Sequence, residues 1–584
     1  MTMLTKWGAA LDRAHPLPEY PRPQLRRESF LNLNGVWDYA ITASADAPDA
    51  WDGEIVVPFS PEAPLSGAAR GPAKDEYLHY RRVFSLPDGF RRDRVLLHFG
   101  AVDQTAEVFV NGTSVVRHSG GYLPFSADIT GALREGDNIL CVTVRDNADD
   151  NAFAYGKQRY KRGGMWYTAQ SGIWQTVWLE SVPEAYVKSL RITPEFDNAR
   201  VRLSVETAGG GSALVACDVY DADGGFVAGS WAKDGVCVVP LPGFHAWTPD
   251  DPYLYTLRVT CGDDRVESYF AMRKFSYVEH NGRRVFGLNN APLFHNGLLD
   301  QGYYPDGLLT PPSDEAMVND IETARRCGFN MLRKHIKIEP LRWYYHCDRL
   351  GMIVWQDMVS GGQPYSFLHV SVLPTLGKVD LPDKNPKPYG RGSVLSRARF
   401  RHEMADTVRH LYNCPCIALW TVFNEGWGQF DALHTAEELK KLDGTRFIDH
   451  ASGWHDQGCG EMKSRHIYFR PVKLKNDGRA LALTEYGGYI LAVDGHRWTD
   501  KTFGYRICRD AAALANDYRR LMLGQILPHI EAEGLTAAVY TQLTDVEEEL
   551  NGIMTYDREV LKIPEETLRG INDALRFSGS SAEL

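Results

Sequence analysis

The sequence predicts a multidomain chain, β in its first half and α/β in its second. An N-terminal jelly roll is expected over residues 1–182, an immunoglobulin-like β-sandwich over 183–275 and a C-terminal (β/α)8 TIM barrel over 276–584. Three observations predict it. Short β-branched and aromatic runs separated by turn residues fill the first part. The same pattern continues for roughly 90 residues more, the size of a small sandwich. After about residue 276 the period changes, and apolar runs alternate with amphipathic helices, as a parallel sheet requires.

In the first part, Gly35-Val-Trp-Asp-Tyr-Ala-Ile41, Leu78-His-Tyr-Arg-Arg-Val-Phe84 and Val95-Leu-Leu-His-Phe99 read as strands. Ala106–Val110 and Thr113–Val116 flank Asn111-Gly112, a pair that accepts the positive φ of a type I′ turn, so this segment reads as a hairpin. In the second part the strands are Val201–Val205, Ala213–Val219 and Tyr253–Val259. In the third, Ser313 caps a helix running through Cys327, with Asp314 and Glu315 in the first turn where the dipole favours anions. A second helix is expected from Pro340 to Leu350. Strands are expected at Asn330–His335, Met352–Asp357, Cys416–Glu425, Phe447–His450, Leu481–Glu485 and Ala537–Gln542. Residues 468–481 are too few for a full helix, which predicts one abbreviated βα unit.

Composition narrows the function. With 44% hydrophobic and 24% charged residues the chain is an ordinary globular one. Its 14 Trp, 28 Tyr and 24 Phe fill large cores and leave rings for a binding site. A net charge of −11 argues against nucleic acid as a partner, because phosphate binding needs a basic footprint. No apolar run is long enough to span a membrane, and Met1–Pro23 carries no apolar segment of a secretory signal. The ten cysteines lack metal-binding or redox spacing, Cys414 and Cys416 merely flanking a proline. A cytoplasmic protein with reduced thiols, no cofactor and no metal is the expectation; a homo-oligomer is one option the sequence leaves open. Lys157, Arg159, Lys161 and Arg162 alternate with Tyr155, Tyr160, Trp166 and Tyr167, and this stretch reads either as a solvated loop or as a wall over the barrel mouth.

Strand after strand of the barrel ends in polar residues: Arg333-Lys334-His335, Gln356-Asp357, Asn424-Glu425, Asp449-His450, Glu485 and Asp545. At the carboxyl ends of barrel strands such groups converge on one mouth, where barrel enzymes do their chemistry. Cleaving a glycosidic bond needs one acid to protonate the leaving oxygen and one carboxylate to meet the anomeric carbon. Glu425, followed by Gly426-Trp427-Gly428, and Glu485, followed by Tyr486-Gly487-Gly488, suit that pair.

These motifs resemble glycoside hydrolase family 2, which contains β-galactosidases, β-glucuronidases and β-mannosidases. The likeness covers nearly the whole chain: Phe30–Trp37, Val108–Gly112 and Ser171–Trp174 in the first domain, then Gly328–Arg333, Cys347–Gly351, Phe423–Gly428 and Thr484–Gly488. It implies a retaining exo-β-glycosidase with Glu425 as acid/base and Glu485 as nucleophile, acting on a carbohydrate held in part by the jelly roll. Asn424 would then bond the sugar 2-hydroxyl, Arg333 would keep the nucleophile ionised, and Tyr468 would donate to it. His335, Asp357, His450, Trp454, Trp427, Gln542 and Asp545 complete the expected substrate shell. A β-galactoside is the first expectation, with galactofuranosides or arabinofuranosides next and glucuronides last. Four departures limit the sugar: Asn551-Gly-Ile553 lacks the lysine of the glucuronidase Asn-x-Lys, Gly163-Gly164 precedes Met165-Trp166 where galactosidases have an acid, Arg333-Lys334-His335 is one residue shorter than the galactosidase Arg-x-x-His, and Thr541-Gln542 replaces an aromatic. Two rival classes remain: a catalytically silent carbohydrate-binding protein, against which the retained glutamate pair counts, and a metal-dependent hydrolase built on His335, His450 and Asp357.

Overall fold

A computed structural model of the chain describes residues 3–147, 153–209, 214–376 and 380–578. Ala213 of the expected second-domain strand and residues 377–379 of the Pro/Gly-rich stretch at about 360–395 lie outside the described residues.

The first domain packs two antiparallel sheets. Gly53–Val57, Gly35–Thr42, Tyr77–Phe84, Asn138–Arg145, Thr105–Val110 and Thr113–Ser119 form one, in that spatial order. Phe30–Asn32, Val177–Val182, Arg94–Phe99 and Phe125–Asp128 form the other. Alternation along these strands puts Trp37, Tyr80, Leu97 and Val142 between the sheets. Asn111 (φ 51°) and Gly112 (φ 81°) make the expected left-handed turn, with Val110 opposite Thr113. The second domain sandwiches Tyr186–Glu195, Arg200–Ala208 and Val236–Pro240 against a four-stranded sheet that includes Val215–Tyr220 and Tyr255–Cys261. Arg27 ties the two domains, donating to Glu180 at 2.8 Å and to Asp264 at 2.9 Å with all three buried.

The barrel strands are β1 (His295–Asp300), β2 (Met331–Lys334), β3 (Ile353–Asp357), β4 (Ile417–Thr421), β5 (Phe447–Asp449), β6 (Met462–Ile467), β7 (Ala480–Gly487) and β8 (Leu535–Thr541). Seven parallel ladders join them in the order β5-β4-β3-β2-β1-β8-β7-β6, and β5 lies beside β6 to leave the barrel nearly closed. Ser313 caps the helix Asp314–Arg326 by accepting from the Ala316 amide, as its sequence position predicted. Gly351, at φ 72°, ends the helix Leu341–Leu350. No helix separates β6 from β7, so that unit is abbreviated as expected; the β5–β6 connection is helix-free as well, which the sequence did not announce. The first barrel strand was also not anticipated. Its run His295-Asn-Gly-Leu-Leu-Asp is half polar, and several of its polar groups meet partners distant in sequence, for example His295 with the Trp355 indole N–H at 3.0 Å. No helix among the described residues is long and apolar enough to cross a membrane.

Candidate active site

Glu485 lies inside β7, not at its end, opposite His466 of β6. The ladder slips on both sides of this point, between Leu483 and Tyr486 toward β8 and between Arg465 and His466 toward β6. Such irregularities re-aim a side chain, here toward the barrel axis. Arg333, fully buried at the end of β2, donates to Glu485 Oε1 at 3.1 Å, to the Thr484 carbonyl at 3.0 Å and to Asn424 Oδ1 at 2.8 Å. Its other edge forks onto both oxygens of Asp357 at 3.0 Å, and His335 Nδ1 sits 2.7 Å from the same carboxylate. Tyr468 donates to Glu485 Oε2 at 2.5 Å. Burial opposes ionisation of Glu485, but His466 and Arg333 outweigh it and hold the carboxyl down at about 2. Arg333 and His335 do the same for Asp357, also about 2. The carboxylate at β7 is therefore an anion throughout the working pH range.

Glu425 is held by a turn beyond β4 and not by the strand itself. Glu425 (φ 52°), Gly426 (φ 73°) and Gly428 (φ 71°) are left-handed. Two backbone bonds fix this turn: the Glu425 amide donates to the Ser452 carbonyl at 3.0 Å and the Trp427 amide to the Asn424 carbonyl at 2.9 Å. A Cβ at Gly426 would come within 2.5 Å of the His455 ring, so the glycine is required twice over. A non-glycine residue in this conformation costs of order 1–3 kcal/mol, and such strain concentrates at functional sites.

His466 stands between the two glutamates. Its Nδ1 is 2.9 Å from Glu425 Oε1 and 3.5 Å from Glu485 Oε2, with the side chain fully buried. Its Nε2 is 3.2 Å from the Ser452 hydroxyl, which itself donates to Thr484 Oγ1 at 2.9 Å. With the serine hydroxyl donating to Thr484, Nε2 is placed to donate to the serine oxygen. A Cβ at Gly453 (φ 84°) would come 2.3 Å from the imidazole, so the glycine opposite keeps the ring's place open. One oxygen of each glutamate and an imidazole nitrogen all lie within 4.8 Å of one another.

Above Glu425 opens a cavity of about 350 Å³, walled by Lys157, Trp166, Tyr365, Trp427, Trp454 and Tyr505 among others. The stretch 155–168 of the jelly roll supplies one wall, and backbone bonds dock it on the barrel. The amides of Tyr155 and Gly156 donate to the Ser360 carbonyl at 3.1 and 3.0 Å, and that of Thr168 to Glu547 at 2.8 Å. The basic loop is thus a packed wall at Lys157. Lys157 Nζ lies 5.4 Å from the Trp166 ring and has no hydrogen-bond or ion-pair partner among the described residues. Arg162 at the far end pairs with Glu547 at 3.4 Å and covers Trp498.

The structure gathers Glu425, Glu485, Asn424, Arg333, His335, Asp357, Tyr468, Trp427 and Trp454 into one site. Three expected members of the substrate shell are engaged elsewhere. His450 is paired with Asp456 at 3.1 Å. Asp545 takes Lys562 at 2.6 Å and the Gly552 amide at 2.9 Å. The Gln542 amide oxygen accepts from Gln301 at 2.9 Å. With His450 committed to Asp456, the metal reading loses one of its three ligands. The sequence reading missed His466 and its supports Ser452 and Thr484; the only signal was its place two residues before Tyr468.

Known proteins agree with this architecture. The family 2 glycosyl hydrolase profiles match in order: the sugar binding domain at residues 30–183, the central family 2 domain at 185–273 and the TIM barrel domain at 312–472. The chain belongs to glycosyl hydrolase family 2. It is 26% identical over 489 residues to a β-galactosidase of Aeromonas hydrophila, a match covering 76% of this chain but 44% of that protein, so the chain spans under half of that relative's length. A solved β-glucuronidase of an uncultured Clostridium sp. superposes with a TM-score of 0.73 at 18% identity, covering 94% of this chain and 98% of that one. A family 2 β-galacturonidase from Eisenbergiella tayi superposes at 0.70, also 18% identical, covering 96% and 100%.

Proposed function

We propose that this chain is a retaining exo-β-glycosidase working by double displacement. The observation that carries it is the pair of carboxylates with oxygens within 4.8 Å of each other, one held ionised by His466 and Arg333 and the other 2.9 Å from the same imidazole. Carboxyl groups about 5–5.5 Å apart leave no room for an attacking water between nucleophile and sugar, so the carboxylate itself attacks.

In the first step Glu485 Oε attacks the anomeric carbon as the glycosidic C–O bond breaks, and Glu425 gives its proton to the departing oxygen. His466 Nδ1, 2.9 Å from Glu425 Oε1, orients the acid. In the second step Glu425, now a carboxylate, takes a proton from water as the water oxygen displaces Glu485, which returns with configuration retained. Asn424, fixed by Arg333, is placed for the sugar 2-hydroxyl, and Tyr468 steadies the nucleophile.

For the sugar we favour a neutral β-pyranoside, with a β-galactoside first. Lys562 is consumed by Asp545 and the Leu550 carbonyl, and Asn551 donates to Glu549, a buried carboxylate that would oppose a second one on the substrate. The runner-up, a uronide, rests on Lys157, whose free ammonium in the cavity wall could meet a sugar carboxylate. Ten unpaired thiols suit a reducing compartment, and we read the chain as cytoplasmic. A panel of aryl β-galactosides, glucuronides, galacturonides, galactofuranosides and arabinofuranosides, with proton NMR of the first-formed sugar, tests this reading. Turnover of the galactoside with the β-anomer appearing first is expected. The α-anomer first would refute retention, and turnover confined to uronides would install the runner-up.

A further inference from the structure

The cavity that opens on the site touches Glu425, the glutamate assigned to the leaving group, and not Glu485. Asn424, placed for the sugar, lines its inner end, so the walls beyond Glu425 are what an aglycone meets. One wall is a continuous run of aromatic contacts leading outward from the nucleophile. Tyr468 stacks on Tyr505 with centroids 3.8 Å apart and planes 15° apart, and Phe469 meets Tyr505 edge-on at 5.1 Å. Also in the lining, Trp166 of the jelly roll stands edge-on to Trp427 at 5.1 Å. At the mouth Phe367 and Phe469 are 68% and 69% exposed although both line the cavity. Large rings left in water cost free energy unless something covers them, and exposed apolar patches mark binding sites. Besides the catalytic set and the tyrosines, the polar side-chain groups of the walls are Ser371, Thr375, Lys157, Arg470 and the indole N–H groups of Trp166, Trp427 and Trp454, among rings and aliphatic side chains. A second sugar would need a partner for each of several hydroxyls, and each unpaired one carries a penalty.

We propose that the leaving-group subsite is built for a planar aromatic aglycone, a phenol-type group sandwiched between the Tyr505–Phe469 and Trp166–Trp427 walls with Phe367 closing the rim. This rests on the retaining-glycosidase reading. The test compares 2-naphthyl, methyl and glucosyl glycosides of one sugar in the wild type, Phe469→Ala and Phe367→Ala. Both rings are exposed, so folding is not at stake, and intrinsic leaving-group reactivity cancels in each variant-to-wild-type ratio. Each change is expected to lower kcat/KM for the naphthyl glycoside by about 3- to 10-fold, the value of one ring contact, and to leave the methyl glycoside unchanged. An equal loss on the glucosyl substrate would mean a sugar occupies the subsite, and no loss on any substrate would mean the rings face nothing; either result overturns the proposal. Failure of the glycosidase reading shows separately, as wild-type inactivity on every arm. In that event quenching of naphthyl fluorescence on binding still decides: binding weakened by Phe469→Ala upholds the aromatic subsite, and absent or unaffected binding removes it.

Discussion

The barrel rim carries two kinds of polar strand end. Around β2, β4 and β7, Arg333, Glu485, His466 and Glu425 form one chain of contacts, and Glu425 opens it to the cavity. After β5 and β8, His450–Asp456 and Asp545–Lys562 close on themselves as ion pairs, with no side chain of either pair lining the cavity. Burial raises the Asp545 carboxyl to about 6 despite its lysine, whereas at Glu485 the cations win and the carboxyl falls to about 2. The difference teaches that charge at a strand end marks the rim, and that linkage to a group open to a cavity marks the chemistry.

Substitutions should separate the two kinds cleanly. The largest effect is expected at Glu485→Gln: kcat on aryl glycosides falls on the order of 10⁵–10⁶-fold, as for other lost nucleophiles, with circular dichroism and melting nearly unchanged. Lys562→Met should do the reverse. It strands a buried carboxylate and costs about 3–5 kcal/mol in denaturant unfolding, while the folded fraction keeps its kcat/KM. A large activity loss there at full stability would erase the distinction.

His466→Ala should lower kcat by about 10- to 100-fold, the cost of a misplaced catalytic group. The loss should be greater for phenyl than for 2,4-dinitrophenyl glycosides, whose departure needs little protonation. Equal losses on both would make His466 a packing residue only. The smallest effect concerns pH. Burial opposes the charge on His450, but its bond to Asp456 outweighs it and raises the imidazole to about 10. A raised histidine stabilises the fold fully below its unfolded value of about 6.5, and the contribution fades as pH climbs toward 10. The stability gap between wild type and His450→Gln should be widest below that lower value and narrow steadily above it; a gap that widens with pH would contradict the pairing.

The domain order, the Ser313 helix cap, the hairpin at Asn111-Gly112 and the glutamate pair were legible because each is written in local pattern. What was not legible is non-local. β1 is hidden because His295 and Asn296 find partners far away in sequence, Trp355 on β3 and Asn330 just ahead of β2. The β7 glutamate reads as a strand end but sits inside its strand, because the bulges beside it depend on both neighbouring ladders. His466 gains its meaning only when β6 is laid beside β7 and under the β4 turn. Asp545 and His450 look like site residues in a string of strand ends, and only the placement of Lys562 and Asp456 shows their charges to be taken.

The central claim is that Glu485 bonds covalently to the sugar. Treating the chain with a 2-deoxy-2-fluoro-β-glycoside of the preferred sugar and mapping the labelled peptide by mass spectrometry tests it directly. The account predicts one glycosyl group on Glu485, in the peptide containing Thr484-Glu485-Tyr486. A label on Glu425 or elsewhere, or inactivation with no covalent mass added, would contradict it.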